Sequence, residues 1–336
     1  MIKKIAGING FGRFGLHLLK YWLDKADSSN FEIAYINDDT LSIHDAFGVI
    51  TTDPYVIFDK YKVSLLDGSL VIAGLDGVKR VIKYTNSPKS QIPWVGKPDI
   101  FLECSGKNTF VKDCQPYLIS NTKQVIISAT SWDAKNVIFG FNHKNLNKND
   151  KIISYGSCTV NAYVPLANYL HEKYFVLESD ANFIHNVPNY KLKDFNTLHR
   201  KFCTLEKSGP NLLKFINGNN FTVNYTVVPY DGVSMLDFRF KLQKNISRAQ
   251  VIEDLHNTFS NGELKSLYDF QESDKGPEEH KFMPHSAVFI KNNVRVINNN
   301  LYLHGYFDNE KSVNRYFDLI NYICENLKNK SLYEIL

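Results

Sequence analysis

Two stretches of this chain combine residue types that do chemistry together: Gly10-Phe11-Gly12-Arg13-Phe14-Gly15 near the start and Ser157-Cys158-Thr159-Val160-Asn161 in the middle. Glycines at this spacing let a backbone approach a pyrophosphate, which the N–H groups and partial positive charge of a following helix then hold. Cys158 precedes a run with helical spacing, so its thiol is expected at the first helical turn, where the helix dipole favours the thiolate. A dinucleotide beside a reactive thiol is the chemistry that this pair of motifs suggests. A nucleophilic cysteine also needs a base, and ten histidines supply candidates. His185 ends a strand-like run 27 residues after Cys158, but spacing alone does not select it.

The elements around the glycines read as strand, tight turn, helix. Ile5 to Asn9 is short and apolar, and Leu16, Leu18, Leu19, Trp22 and Leu23 form one helical face. A second strand, Phe31 to Ile36, runs into Asn37-Asp38-Asp39. Asp38 lies 23 positions beyond Gly15, near the spacing of about 20 expected for a ribose-binding carboxylate. A carboxylate there favours NAD over NADP, because it accepts from two ribose hydroxyls and repels a 2′-phosphate; neighbouring Asp39 is the alternative partner. Asp99 to Cys104, Gln124 to Ser128 and Lys151 to Ser154 are further apolar, turn-bounded strands, which points to a mainly parallel sheet covered by helices.

After Ser157 the pattern changes. Val160, Tyr163, Val164, Ala167 and Leu170 recur at helical spacing, with Pro165 inside the run, and Phe221 to Val228, Val233 to Leu242 and Asn300 to Phe307 read as antiparallel strands. Asn314 to Leu327 reads as a closing amphipathic helix. The expected fold class is α/β: a Rossmann-type doubly wound dinucleotide-binding domain plus an α+β catalytic domain with a mainly antiparallel sheet.

Composition narrows the function classes. A chain of 336 residues, 43% hydrophobic, has material for two ordinary cores. No long apolar run or signal-peptide pattern is present, so a cytoplasmic protein is expected. Cys104, Cys114, Cys158, Cys203 and Cys324 are odd in number, widely spaced and without a CxxC pair, which argues against a disulfide framework or a zinc site, and no metal is expected. The net charge of +4 comes from 39 basic and 35 acidic residues scattered along the chain, a solvated surface and not a nucleic-acid footprint.

Lys4 through Gly15, Asn37-Asp38, Leu102 through Gly106, Val125 through Ala129, Gly140 through His143, Ser157 through Asn161 and Tyr306 through Glu310 occur in one order along nearly the whole chain. In that order they resemble successive landmarks of the glyceraldehyde-3-phosphate dehydrogenase family. The resemblance implies that Cys158 is the nucleophile and His185 the general base. It further implies that Gly10, Phe11, Gly12, Arg13, Phe14 and Gly15 cradle the NAD pyrophosphate, that Asn37 and Asp38 hold the adenosine side, that Ser105, Gly106 and Ser128 line the cleft, and that Asn309 orients the nicotinamide. Ser157 and Thr159, with Ser208 and Gly209, correspond to phosphate-contacting positions. Residues 1–157, completed by a C-terminal helix at 311–336, would form the NAD-binding domain, and 158–310 the catalytic domain. A homotetramer, an aldehyde substrate and inorganic phosphate are implied as partners, with no nucleic acid or membrane.

Departures from the family pattern gather around the substrate phosphate. Tyr190 and Lys191 stand in place of a Thr-Gln pair, and Val227 in place of an arginine that clamps phosphate. Valine offers nothing equivalent to a guanidinium fork. Lys191, Lys193, Arg200, Lys201 and Lys207 are either replacement charge or ordinary exposed loop residues. Leu16 and Asn86 also replace usual arginines, and the segment after Asn309 is one residue short. The implied activity is therefore NAD-dependent oxidation of an aldehyde through a cysteine thioester, with glyceraldehyde 3-phosphate the default substrate. Another sugar phosphate, an unphosphorylated aldehyde, and an NAD-binding paralogue without efficient catalysis are the alternatives.

Overall fold

Apolar strands alternating with amphipathic helices give two compact units. The computed structural model describes residues 3–75, 77–186, 198–230 and 232–330. The first unit takes in residues up to 137, 145–155 and those from 313 onward; the second takes in 138–144 and 156–312. Among the described residues no helix is long and apolar enough to cross a membrane.

In the first unit, β1 (Lys4–Asn9), α1 (Arg13–Asp24) and β2 (Phe31–Asn37) form the expected strand-helix-strand. They are followed by α2 (Ile43–Thr52), the strands β3 (Lys62–Leu66), β4 (Ser69–Ala73) and β5 (Lys79–Thr85), and β6 (Ile100–Glu103). Then come α3 (Val111–Cys114), β7 (Gln124–Ile127), β8 (Lys135–Asn136) and β9 (Ile152–Ser154). The sheet runs β3-β4-β5-β2-β1-β6-β7-β9-β8. Its pairs are parallel except β3 with β4 and β4 with β5. From β1 the chain builds outward first through β2 and later through β6, so β1 and β6 flank the switch point, where a doubly wound sheet opens a crevice at its carboxyl edge.

Two loops meet at that edge. Gly10 has φ +96, and a Cβ there would lie 2.4 Å from the Ser105 backbone, so the turn after β1 packs directly on the turn after β6. We predict that Gly10→Ala lowers stability by about 1–3 kcal/mol from left-handed strain alone, with the overlap adding to it. Gly12 has φ −72 and nothing within 4 Å of an added Cβ, so Gly12→Ala should leave stability nearly unchanged. Urea unfolding of both variants is the check, and equal midpoints would contradict this account of the turn.

Leu16, Leu18, Leu19, Trp22 and Leu23 of α1 are buried against the closing helix, whose Tyr316, Phe317, Leu319, Ile320 and Ile323 join the same core. Leu16, in an arginine position by family resemblance, is thus a core residue, 1% exposed.

The second unit begins with α4 (Cys158–Tyr174) and β10 (Val176–Asn186), then β11 (His199–Arg200), α5 (Thr204–Leu212), β12 (Phe221–Val228) and β13 (Ser234–Leu242). After these come α6 (Arg248–Ser260), β14 (Tyr268–Gln271), β15 (Ala287–Ile290), β16 (Arg295–Ile297) and β17 (Asn300–Phe307); α7 (Val313–Lys330) is the closing helix of the first unit. The sheet order is β11-β12-β10-β13-β17-β15-β14, with β16 beside β17, and only β10 with β12 and β14 with β15 pair in parallel. Strict alternation along β13 buries Leu236, Phe238, Phe240 and Leu242 with Val160, Tyr163, Val164 and Leu170 of α4.

Pro165 has no N–H to give the carbonyl of Asn161, four residues back in α4. The Tyr268 hydroxyl mends the gap, donating to that carbonyl at 3.2 Å and accepting from the Leu166 N–H at 3.2 Å. The two turns that begin at Cys158 therefore stay helical.

Candidate active site

The period of β10 places His185 on the same face as Ala181 and Phe183, the face that α4 covers. Its Nε2 lies 3.8 Å from the Cys158 Sγ. Its Nδ1 lies 2.8 Å from the Asn186 carbonyl oxygen, an acceptor only, so Nδ1 carries the proton and Nε2 turns a lone pair to the sulfur. Asn186 is itself held by the Ser234 hydroxyl, which accepts from the Asn186 N–H at 3.1 Å and donates to Oδ1 at 2.8 Å. The Asn186 amide donates to the Gly232 carbonyl, and the Ser234 hydroxyl also lies 2.8 Å from Asn309 Oδ1, an acceptor, so its one proton is shared between the two amide oxygens. Asn186, Ser234 and Asn309 form one chain of bonds behind the histidine.

Ser157 caps α4: its hydroxyl accepts from the Val160 N–H. The same hydroxyl lies 2.8 Å from Thr204 Oγ1 and 3.2 Å from Thr159 Oγ1, while Thr159 accepts from the Cys203 thiol at 3.4 Å. The first residues of α4 and α5 are laced together on both sides of Cys158. Ser208 and Gly209, expected to hold phosphate, are placed in the second turn of α5, buried, with Gly209 against Phe221 and Ile216. The hydroxyl at the start of that helix belongs to Thr204, which sequence reading passed over; the signal was a threonine opening a new amphipathic run. Tyr190 and Lys191 lie outside the described residues.

The expectation of a thiol made acidic by its helix requires correction. Burial pushes Cys158 up to about 12, Cys203 adds to the rise, and the N–H groups of Thr159 and Cys158 pull only partly back. A thiol at about 12 is about one part in 10⁵ thiolate at neutral pH, and the group within reach of its proton is the His185 Nε2. No fixed cation assists from the neighbouring strand. Val227 stands opposite His185 in the parallel β10–β12 register and is 4% exposed.

In the first unit the glycine turn fits a pyrophosphate. No side chain caps α1, and the face of Gly12 is open. The polar residues around it are largely committed to shaping the turn. Asp38 Oδ2 accepts from the Phe11 N–H at 2.7 Å, and Oδ1 from Thr40 and Leu41. Burial opposes the Asp38 charge, but these bonds from Leu41, Phe11 and Thr40 outweigh it and hold the carboxyl below its usual range. Oδ2 retains capacity for a further donor such as a ribose hydroxyl. Asp39, the alternative, is exposed and pairs with Lys107. Asn37 braces Asn9, Thr85 and Ser87, and Asn86 donates to the Asp38 carbonyl.

Arg13 pairs with Asp53 and lies over the Tyr55 ring, while the Phe14 ring packs on Tyr155 and Tyr316, so both serve the turn through their backbones. Gly15 sits where a Cβ would strike the Gly10 carbonyl, and Gly106 has φ +69 in open space. Ser105 and Ser128 are both tied to Glu103, through its carboxylate and its carbonyl respectively. That carboxylate, 1% exposed, also joins Asn9 to Asn108.

A doubly wound unit with a glycine turn and a second unit with a cysteine–histidine pair define a two-part α/β protein. No family model matches the chain. Among curated relatives it is 28% identical to glyceraldehyde-3-phosphate dehydrogenase B of Aspergillus oryzae (strain ATCC 42149 / RIB 40), covering 95% of this chain and 97% of that protein. It is 26% identical to glyceraldehyde-3-phosphate dehydrogenase of Cryphonectria parasitica, over 97% and 98% of the two chains. It is also 26% identical to glyceraldehyde-3-phosphate dehydrogenase 4 of Caenorhabditis elegans, over 96% and 99%. With landmarks in family order along nearly the whole length, the chain is similar from end to end to curated glyceraldehyde-3-phosphate dehydrogenases, at the distance of a divergent relative.

Proposed function

We propose that this protein oxidises an aldehyde with NAD⁺ through a thioester on Cys158, and that inorganic phosphate then takes the acyl group. The observation that carries the reading is Nε2 of His185, with its lone pair fixed by the Nδ1 bond to Asn186, 3.8 Å from the Cys158 sulfur at the start of a capped helix. In this reading the Cys158 sulfur bonds to the carbonyl carbon as its proton passes to Nε2 and on to the carbonyl oxygen, giving a hemithioacetal. His185 then takes the hydroxyl proton while the C–H hydrogen leaves with its electron pair. NAD⁺, when bound, supplies the acceptor for that hydrogen and pair; the first unit, with Gly10 to Gly15 and Asp38, is the part we assign to holding it.

The thioester is released when a phosphate oxygen bonds to the acyl carbon and the C–S bond breaks, returning the sulfur as thiolate. We assign the mutually bonded hydroxyls of Ser157, Thr159 and Thr204 to that anion, and the Cys158 N–H with imidazolium to the developing oxyanion. The names of the relatives make glyceraldehyde 3-phosphate the default substrate. A second reading, an aldehyde without phosphate, is favoured by buried Val227 beside His185, since valine itself offers a phosphate no charge. A homotetramer in the cytoplasm accompanies either reading.

The test is initial-rate NAD⁺ reduction with glyceraldehyde 3-phosphate and with glyceraldehyde, each with and without phosphate. Phosphate-stimulated NADH formation is the expected result. Preference for the phosphorylated aldehyde selects the first substrate and preference for glyceraldehyde the second. No reduction with these or with a wider aldehyde panel overturns the proposal.

A further inference from the structure

Neither the glycine turn nor the cysteine–histidine pair accounts for Tyr225. It sits on β12 two residues before Val227, and in the parallel register it faces Phe183 while Val227 faces His185. All four side chains therefore share the face that α4 covers. The Tyr225 ring lies 5.2 Å from the His185 ring at 49°, and the Phe307 ring lies 5.9 Å from it at 68°. Tyr225 is packed against the same core that Cys158 borders, yet its phenol hydroxyl makes no hydrogen bond among the described residues and is not sealed from solvent.

A half-buried phenol without a partner among the described residues gives up hydration and gains nothing from them in return. Val227 and Phe307, which also flank His185, are apolar, so on this part of the wall the phenol is the hydrogen-bond donor. Burial, with the nearby Cys158 and Cys203 sulfurs, drives the phenol well above its ordinary value, so it remains a donor throughout the accessible pH range.

We infer that Tyr225 is a specificity-determining residue for the aldehyde: its hydroxyl donates a hydrogen bond to an uncharged hydroxyl oxygen of a hydroxyaldehyde held on Cys158 beside His185. The inference rests on the thioester reading to the extent that it places the aldehyde on Cys158. It requires neither NAD⁺ nor a completed oxidation. A site built to bond a substrate hydroxyl discriminates against the analogue that lacks it, since the donor is then left without its partner.

The experiment measures protection of Cys158 from iodoacetamide by glyceraldehyde and by propanal, followed on the Cys158 peptide by mass spectrometry, in the wild-type chain and in Tyr225→Phe. Each protein's alkylation rate without aldehyde is its own reference, and phenylalanine keeps the ring against His185. The wild type should favour glyceraldehyde over propanal by about tenfold or more beyond whatever preference remains in Tyr225→Phe. An unchanged preference overturns the role of Tyr225 even if the wild type reduces NAD⁺. A Tyr225-dependent preference in a protein that never reduces NAD⁺ upholds the role and removes the oxidation reading instead. Absence of protection by either aldehyde overturns the inference outright.

Discussion

Cys158→Ser should cut aldehyde-dependent NAD⁺ reduction by about 10⁴-fold or more, the scale on which loss of a nucleophile falls. A serine hydroxyl is far less acidic than a thiol, and an ester releases its acyl group less readily than a thioester. The four other cysteines offer no substitute. Cys104, Cys114, Cys203 and Cys324 are all buried, and burial pushes Cys114 up to about 12 and Cys104 higher still. Initial rates of NADH formation at saturating aldehyde are the measurement. A variant within tenfold of the wild type would place the nucleophile elsewhere.

His185→Asn should lower kcat by about 10²–10⁴-fold, the usual contribution of a positioned acid–base group. It should also expose the thiol's own acidity. With Cys158 near 12, alkylation of the variant is expected to climb about tenfold per pH unit from neutrality to pH 10. The sign follows from the direction of the shift: burial raises the thiol, so thiolate is scarce below its pKa and grows only as pH approaches it. The wild type should react faster at neutral pH because Nε2 takes the proton. Equal alkylation rates for the two proteins at pH 7 would show that the imidazole does no such thing.

The strands that position both motifs were legible because they are short, apolar and bounded by turns: β1, β2, β6, β7 and β9 fall where the runs from Ile5, Phe31, Asp99, Gln124 and Lys151 put them. The helix opening at Cys158 was legible from the spacing of Val160, Tyr163 and Ala167. The strands β3, β4 and β5 were not, since Lys62–Leu66 alternates polar and half-exposed residues without an apolar face strong enough to mark it. What stayed hidden at the site depends on partners distant in sequence. Arg13 is engaged by Asp53, 40 residues on, and the Asp38 carboxylate is bonded to the very turn it was expected to stand across. The raised thiol arises from packing that no local window contains. Tyr225 and Val227 reach His185 only through the parallel register of β10 with β12, and Thr204 reaches Ser157 only through the meeting of two helix starts.

The Ser234 hydroxyl works in both directions at once: it accepts from the backbone N–H of Asn186 and shares its one proton between the amide oxygens of Asn186 and Asn309. Among the twenty residues only serine and threonine offer that combination on so short a stem. Position 234 therefore has an evolutionary alphabet of two letters for as long as asparagines occupy 186 and 309. In divergent copies of this gene the three positions should drift together, and an alanine at 234 should appear only where one of the asparagines has already been lost.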